Sequence, residues 1–139
     1  MKKSKEDILR MCNSKSKNTL LETLEIEFID VSDEFLVARM PVTPKVHQPD
    51  GLLHGGASVA LAETVGSAAA FIFLESENLV VRAIEIGANH VKSVSSGYVF
   101  AKATILHIGK TTQLWQVPIT NEKGELISLV KLTTITLKN

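Results

Sequence analysis

Apolar and polar residues alternate from Leu24 to Val31 and again from Phe35 to Val42, with Ser32 and Asp33 between them. This predicts two antiparallel strands joined by a tight connection. Pro41 and Pro44 stop the second strand, and a loop from Thr43 to Leu53 carries Pro49, Asp50 and Gly51. The pattern then changes to HGGASVALAETVGSAAAFIF, rich in helix-forming Ala and Leu, so one long helix is predicted from near Gly55. Glu63 is the only charged side chain between Gly51 and Leu74, so the helix is apolar nearly all round and is expected to be enclosed by other structure. Beyond Asn78, β-branched alternation returns in LVVRAIEIGANHVKSV, YVFAKATILHI, TQLWQVPIT and ELISLVKLTTITL, which predicts four more strands. Their separators are Ser95 to Gly97, Gly109 and Lys110, and Asn121 to Gly124, each short enough to join antiparallel neighbours. Ahead of all this, Lys5 to Met11 reads as a short amphipathic helix followed by a polar stretch, an arm rather than a domain.

Two strands, one enclosed helix and four strands make an α+β chain in which a curved antiparallel sheet wraps around a long central helix, the outline of a hotdog. A sheet of this kind leaves strand edges exposed, and pairing them between two copies protects them, so a homodimer at least is expected.

Composition narrows the partners. The 139 residues, 45% hydrophobic and 22% charged, fit one compact domain, 1–139. Fifteen basic and fifteen acidic residues cancel, which leaves no overall field for nucleic acid or a membrane surface. Cys12 is the only cysteine, which excludes an internal disulfide and suits a reducing compartment. The basic N-terminus lacks the apolar core of a signal peptide, and the apolar run from Val59 to Leu74 is interrupted by Glu63, Thr64, Gly66 and Ser67, so a cytoplasmic location is expected.

A lone carboxylate on an apolar helix is costly to bury and so has either a partner or a task, which makes Glu63 the leading catalytic candidate. Ser67 lies one turn further on the same face, where its hydroxyl and the carboxylate can hold a water or a sulfur. His54, Gly55 and Gly56 open the helix, whose first N–H groups lack intrahelical partners and can stabilise an oxyanion. The HGGAS segment has no Walker lysine and does not form G-x-G-x-x-G, which argues against phosphate-loop chemistry. His47, His54, His90 and His107 show no metal-binding spacing, so no metal is expected. Two basic segments are candidate cofactor contacts: His90, Val91, Lys92 and Ser93, and His107, Ile108, Gly109, Lys110, Thr111 and Thr112. Lys92 and Lys110 can meet phosphates there, although a lysine in a hairpin turn is more often simply solvated.

These residues carry a family resemblance. QPDGLLHGGASVALAETVGSAAA, then EIGANHVKS, LHIGKTTQLWQV and NEKGEL resemble, in that order, the hotdog thioesterases of the phenylacetate-pathway type. The branch most similar contains 1,4-dihydroxy-2-naphthoyl-CoA hydrolase and the proofreading thioesterase of enterobactin assembly. The resemblance implies Glu63 as nucleophile or general base, Gln48 and His54 as residues that position the thioester, Gly55 as an oxyanion N–H, and Ser67 as an orienting hydroxyl. It also implies CoA contacts at Ala83 and along the two basic segments, and a tetramer of two dimers with sites at the dimer interface. Two departures bear on acyl preference: a one-residue length difference near Arg82 and Ala83, and Asp50 where the family pattern has a hydrophobic residue.

The expected reaction is hydrolysis of an aromatic acyl-CoA such as 1,4-dihydroxy-2-naphthoyl-CoA. The carbonyl accepts hydrogen bonds from Gly55 N–H and the Gln48 or His54 side chain while Glu63 attacks it or activates water. Coenzyme A is then part of the substrate and product, and no separate cofactor is expected. The rival readings are a proofreading thioesterase acting on a carrier protein, a non-catalytic acyl-CoA binding protein, and a hotdog dehydratase.

Overall fold

A computed structural model describes residues 3–75 and 78–138. Helix α1 (Lys5–Ser14) is capped by the Ser4 hydroxyl, which accepts a hydrogen bond from Asp7 N–H. The expected arm helix is thus present and runs slightly longer than its apolar pattern. A one-turn helix α2 (Leu20–Leu24) follows, capped by Thr19 and ended by Glu25 in the left-handed region at φ 58°. The alternation near Leu24 had placed the first strand there. The Thr19 cap wins locally instead, and strand β1 runs only over Glu27–Val31.

The remaining strands are β2 (Phe35–Pro41), β3 (Leu79–His90), β4 (Tyr98–Ile108), β5 (Thr112–Thr120) and β6 (Leu126–Lys138). They form one antiparallel sheet in the order β1-β2-β4-β5-β6-β3. Four register shifts, at Phe28/Asp30, Ala83/Glu85, Ile105/His107 and Ile119/Thr120, bend the sheet. Its concave face packs on helix α3 (Gly55–Phe73), which is the hotdog arrangement. α3 is also the one described helix long and apolar enough to cross a membrane, and here it serves as the core helix.

One expected pairing fails. β3 and β4 are not neighbours, because β3 pairs with β6 at the far edge while β4 pairs with β2. The segment 91–97 therefore crosses between them. Val91 and Lys92 N–H bond to Ile127 O, Val94 O accepts from Leu53 N–H at 2.8 Å, and Gly97 O accepts from Val42 N–H at 2.8 Å. The crossing is thereby fastened to the loop that enters α3.

The core is built from the inward side chains of the sheet and one face of α3, with Leu36, Met40, Leu61, Val65, Trp115 and Leu132 fully buried. Gly66 lets the helix approach the sheet closely: a Cβ there would stand 2.3 Å from Leu132 Cδ2. Trp115 stacks on Phe73 with ring centroids 6.1 Å apart. Its indole N–H donates to Thr134 Oγ1 at 2.9 Å, and Thr134 donates on to Gln113 Oε1 at 2.7 Å, so this buried polar set is satisfied.

The two sheet edges differ. β1 is short, and α1 covers it: Asn13 accepts from Phe28 N–H at 2.9 Å and donates to Phe28 O at 3.0 Å, as a neighbouring strand residue would. Lys5 pairs with Asp30 across the same contact, and its hydrogen bond depresses the Asp30 carboxyl while the lysine is raised. The pair is therefore intact across neutral pH, and is lost as pH falls through the depressed Asp30 value or rises through the raised Lys5 value. β3 is long and largely exposed, with Ile84 bulged out of register and 56% accessible.

Candidate active site

The enclosure expected for α3 holds on one side only. Ser58, Leu61, Ala62, Val65, Gly66, Ala69 and Ala70 are buried against the sheet, while Glu63 on the opposite side is exposed. The reason lies in the sheet, which covers one face of the helix and is too narrow to close around the other. On that open face Ala60, Glu63, Thr64, Ser67, Ala68 and Phe71 fall at helical spacing and form one wall of a cavity of about 530 Å³. The arm supplies the facing wall through Met11, Cys12, Lys15, Leu20 and Leu21, with Phe28 of β1 closing one end. Glu63 is the only carboxylate among the lining residues, and it shares the cavity with Ser67 one turn on, as the sequence spacing predicts.

The start of α3 forms a second cluster. His54 is the N-cap, and its Nδ1 accepts from Gly56 N–H at 2.7 Å, which places the neutral imidazole proton on Nε2 and makes that nitrogen a donor. Ala57 and Ser58 N–H bond to His54 O, which leaves Gly55 N–H as the helix-start donor without a hydrogen bond among the described residues. Gln48 lies in the preceding loop, where its Oε1 accepts from Asp50 N–H and its own N–H donates to Leu52 O at 2.7 Å. With that carbonyl oxygen engaged, the Gln48 amide presents its NH₂ donors. Asp50, the departure from the family pattern, is thus exposed and tied through its backbone to Gln48.

These two clusters do not meet within one chain. Glu63 follows Gly55 by eight helical residues, about 12 Å along the axis, and the Gly55 N–H points out of the helix start, away from Glu63. No single thioester carbonyl reaches both within a protomer.

The expected CoA contacts divide in the same way. His90 packs on Gly55, where any Cβ would stand 2.6 Å from His90 Nε2, and its Nδ1 lies 2.9 Å from the buried Ser128 hydroxyl, which also bonds Asn89 O. Val91, Lys92 and Ser93 follow on the surface. Lys92 pairs with Glu125 at 3.2 Å, and hydrogen bonds from Asn121 and then Lys92 hold the Glu125 carboxyl below its ordinary range. Ala83 lies in the first half of β3, where it pairs with Thr134, itself opposite Gln113. It therefore neighbours the β4–β5 turn, in which Gly109 N–H bonds to Thr112 O at 2.7 Å and Thr111 O accepts from Thr136 N–H at 2.8 Å. His107, Ile108 and Lys110 are exposed beside that turn. His90 follows Ala83 by seven residue steps along the strand, about 23 Å.

Sequence reading missed the arm's part in the cavity, because its residues show only an amphipathic pattern, and it missed Ser128, an ordinary strand serine until the fold sets it against His90. Burial raises the Cys12 thiol, and the nearby Lys15 charge only partly opposes this. Cys12 in the folded protein is accordingly expected to react with iodoacetamide at least about tenfold more slowly than in urea, as followed by intact-mass spectrometry.

Comparison with known proteins places these features in context. Residues 50–128 match the family model described as thioesterase superfamily. The chain is 43% identical over 129 residues to the 1,4-dihydroxy-2-naphthoyl-CoA hydrolase of Escherichia coli, covering 93% of this chain and 94% of the relative. It is likewise 43% identical over 126 residues to the proofreading thioesterase EntH of Cronobacter turicensis, covering 91% of each. The crystal structure of a mutant thioesterase from Pseudomonas aeruginosa superposes with a TM-score of 0.92 at 37% identity, covering 94% of each chain.

Proposed function

The chain belongs to the thioesterase superfamily and is a thioester hydrolase, and on that premise we propose that it cleaves an aromatic acyl-CoA, with Glu63 as nucleophile or general base. The observation that carries this reading is the cavity itself: an apolar space flanked by Phe28 and Phe71, with Glu63 and Ser67 on its wall. The name of the Escherichia coli relative points to 1,4-dihydroxy-2-naphthoyl-CoA as the first substrate to try, and that of the Cronobacter relative to a carrier-bound acyl group as the second.

The chemistry follows from the donors. Gly55 N–H, the Gln48 amide and His54 Nε2–H are the donors available to a carbonyl whose oxygen becomes negative under attack. Glu63 attacks the carbon or takes a proton from water that does, and Ser67 orients the water or the sulfur. A thiolate leaves readily, so a strong general acid is not required.

Because the two clusters lie too far apart in one chain, the working site combines Gly55, Gln48 and His54 of one copy with Glu63 and Ser67 of another. The open β3 edge supports this arrangement. Antiparallel pairing of two β3 strands about a two-fold axis sets the start of one beside the end of the other, which brings the Ala83 and 107–112 region of one copy near His90 to Ser93 of its partner. A pair of such dimers makes the tetramer.

The test is thiol release from aromatic and aliphatic acyl-CoAs and from acyl carriers, run with variants that divide the two clusters. Glu63→Gln and the Gln48→Ala/His54→Ala double variant are each expected to be nearly inactive. Co-expressed, they are expected to recover about a quarter of wild-type activity, since half the dimers are mixed and each mixed dimer holds one undamaged site. A mixture as inactive as its parents removes the shared site.

Ile84→Asp probes the edge separately. A carboxylate on the exposed strand is expected to reduce the particle to a monomer in light scattering, and to lower kcat/KM at least about tenfold without unfolding the chain. A monomer of undiminished activity overturns the shared-site reading.

A further inference from the structure

We infer that Lys15 is a specificity-determining residue, selecting acyl groups that carry an anionic substituent at the end far from the thioester. The inference rests on the acyl cavity assigned above and names what that cavity prefers.

Only two charged side chains line the cavity, Glu63 and Lys15. They stand at different places along it. The Lys15 ammonium is held over the Phe71 ring, 4.8 Å from its centroid, and Phe71 follows Glu63 by eight residues on the same face of α3, about 12 Å. Thr64, Ser67 and Ala68 lie between them along α3, with the Thr64 hydroxyl already donating to Ala60 O, and the apolar Leu21 and Phe28 also line the cavity. An acyl group with its carbonyl at Glu63 that runs along α3 therefore lies in apolar surroundings and ends beneath an ammonium.

That ammonium is available. The ion pairs among the described residues involve Lys5, Arg10, Arg39, Lys45 and Lys92, and Lys15 is in none of them. Stacking over Phe71 fixes its position while leaving N–H donors directed elsewhere. Lys15 is also the C-cap of α1, so its backbone is fastened to the helix end through Asn13 O and Cys12 O, and only the side chain needs to adjust. A cation so placed favours a carboxylate over an uncharged methyl group.

The experiment pairs two groups that differ only at the para position, the anionic 4-carboxybenzoyl and the neutral 4-methylbenzoyl. Each is offered as the CoA thioester, to read hydrolysis, and as the uncleavable phenacyl-type CoA thioether, to read binding by calorimetry. Wild type, Lys15→Met and Lys15→Arg are compared. The expected result is that Lys15→Met lowers the carboxyl-to-methyl ratio about fivefold in both kcat/KM and affinity, the worth of one partly solvated ion pair, and that Lys15→Arg restores it. An unchanged ratio overturns the inference. So does an equal weakening of both compounds, which would place Lys15 on the CoA phosphates. If wild type hydrolyses neither thioester, the hydrolase reading fails, while the thioether affinities still decide the role of Lys15.

Discussion

Glu63→Gln is expected to lower kcat/KM for the preferred acyl-CoA by about a hundredfold or more while the protein still binds the uncleavable CoA thioether. Glutamine keeps the shape and the hydrogen-bonding carbonyl of glutamate, but it is neither a nucleophile nor a base at neutral pH. The side chain is exposed on the cavity face of α3 and forms none of the ion pairs among the described residues, so removing its charge leaves no buried partner unpaired. The melting temperature should therefore stay near that of wild type, which separates a chemical defect from a folding defect. A variant that hydrolyses the thioester as fast as wild type would remove Glu63 from the mechanism. Single turnover in heavy-oxygen water addresses the route, because label recovered in the Glu63 carboxylate is the mark of an anhydride between Glu63 and the acyl group.

Trp115→Ala should produce the largest loss of stability. Trp115 is fully buried, so truncation costs about 3–5 kcal/mol for lost burial and the cavity left behind. It also removes the donor to Thr134, part of a buried set with Gln113, for about 1–3 kcal/mol more. Phe73 loses its stacking partner at the last turn of α3, just beyond Phe71 on the cavity wall. The variant is expected to unfold at much lower urea concentration, measured at fixed protomer concentration because association adds to apparent stability. Trp115→Phe retains most of the ring burial and isolates the polar contribution, so an intermediate midpoint is expected. If Ala and Phe variants unfold together near wild type, the Trp115 network contributes little.

Much of this was legible in the chain before any coordinates. Period-two alternation located all six strands, because a strand with one face on a core must alternate, and the apolar segment after Gly55 located α3 because its composition is incompatible with a solvated loop. The errors have local causes. Thr19 and Glu25 supply a cap and a left-handed stop that make a helical turn of α2, overriding the alternation that had placed the first strand at Leu24. The short separator at Ser95 to Gly97 resembled a hairpin, yet β3 goes to the far edge, since loop length limits which strands can be neighbours without choosing among them.

For the candidate site, the sequence by itself supplied the candidate residues. One carboxylate on an apolar helix, a hydroxyl one turn later and a glycine-opened helix start single out Glu63, Ser67 and Gly55 as candidates through helical periodicity and through the donors a helix leaves unpaired. Tertiary structure alone decided how they are grouped. It set Glu63 on the face of α3 that the sheet leaves open, placed Lys15 and Phe28 across from it, laid His90 against Gly55, and kept the free N–H at the helix start about 12 Å along the axis from the carboxylate. Such relations depend on which distant segments the sheet order brings together, and no local pattern of residues encodes that.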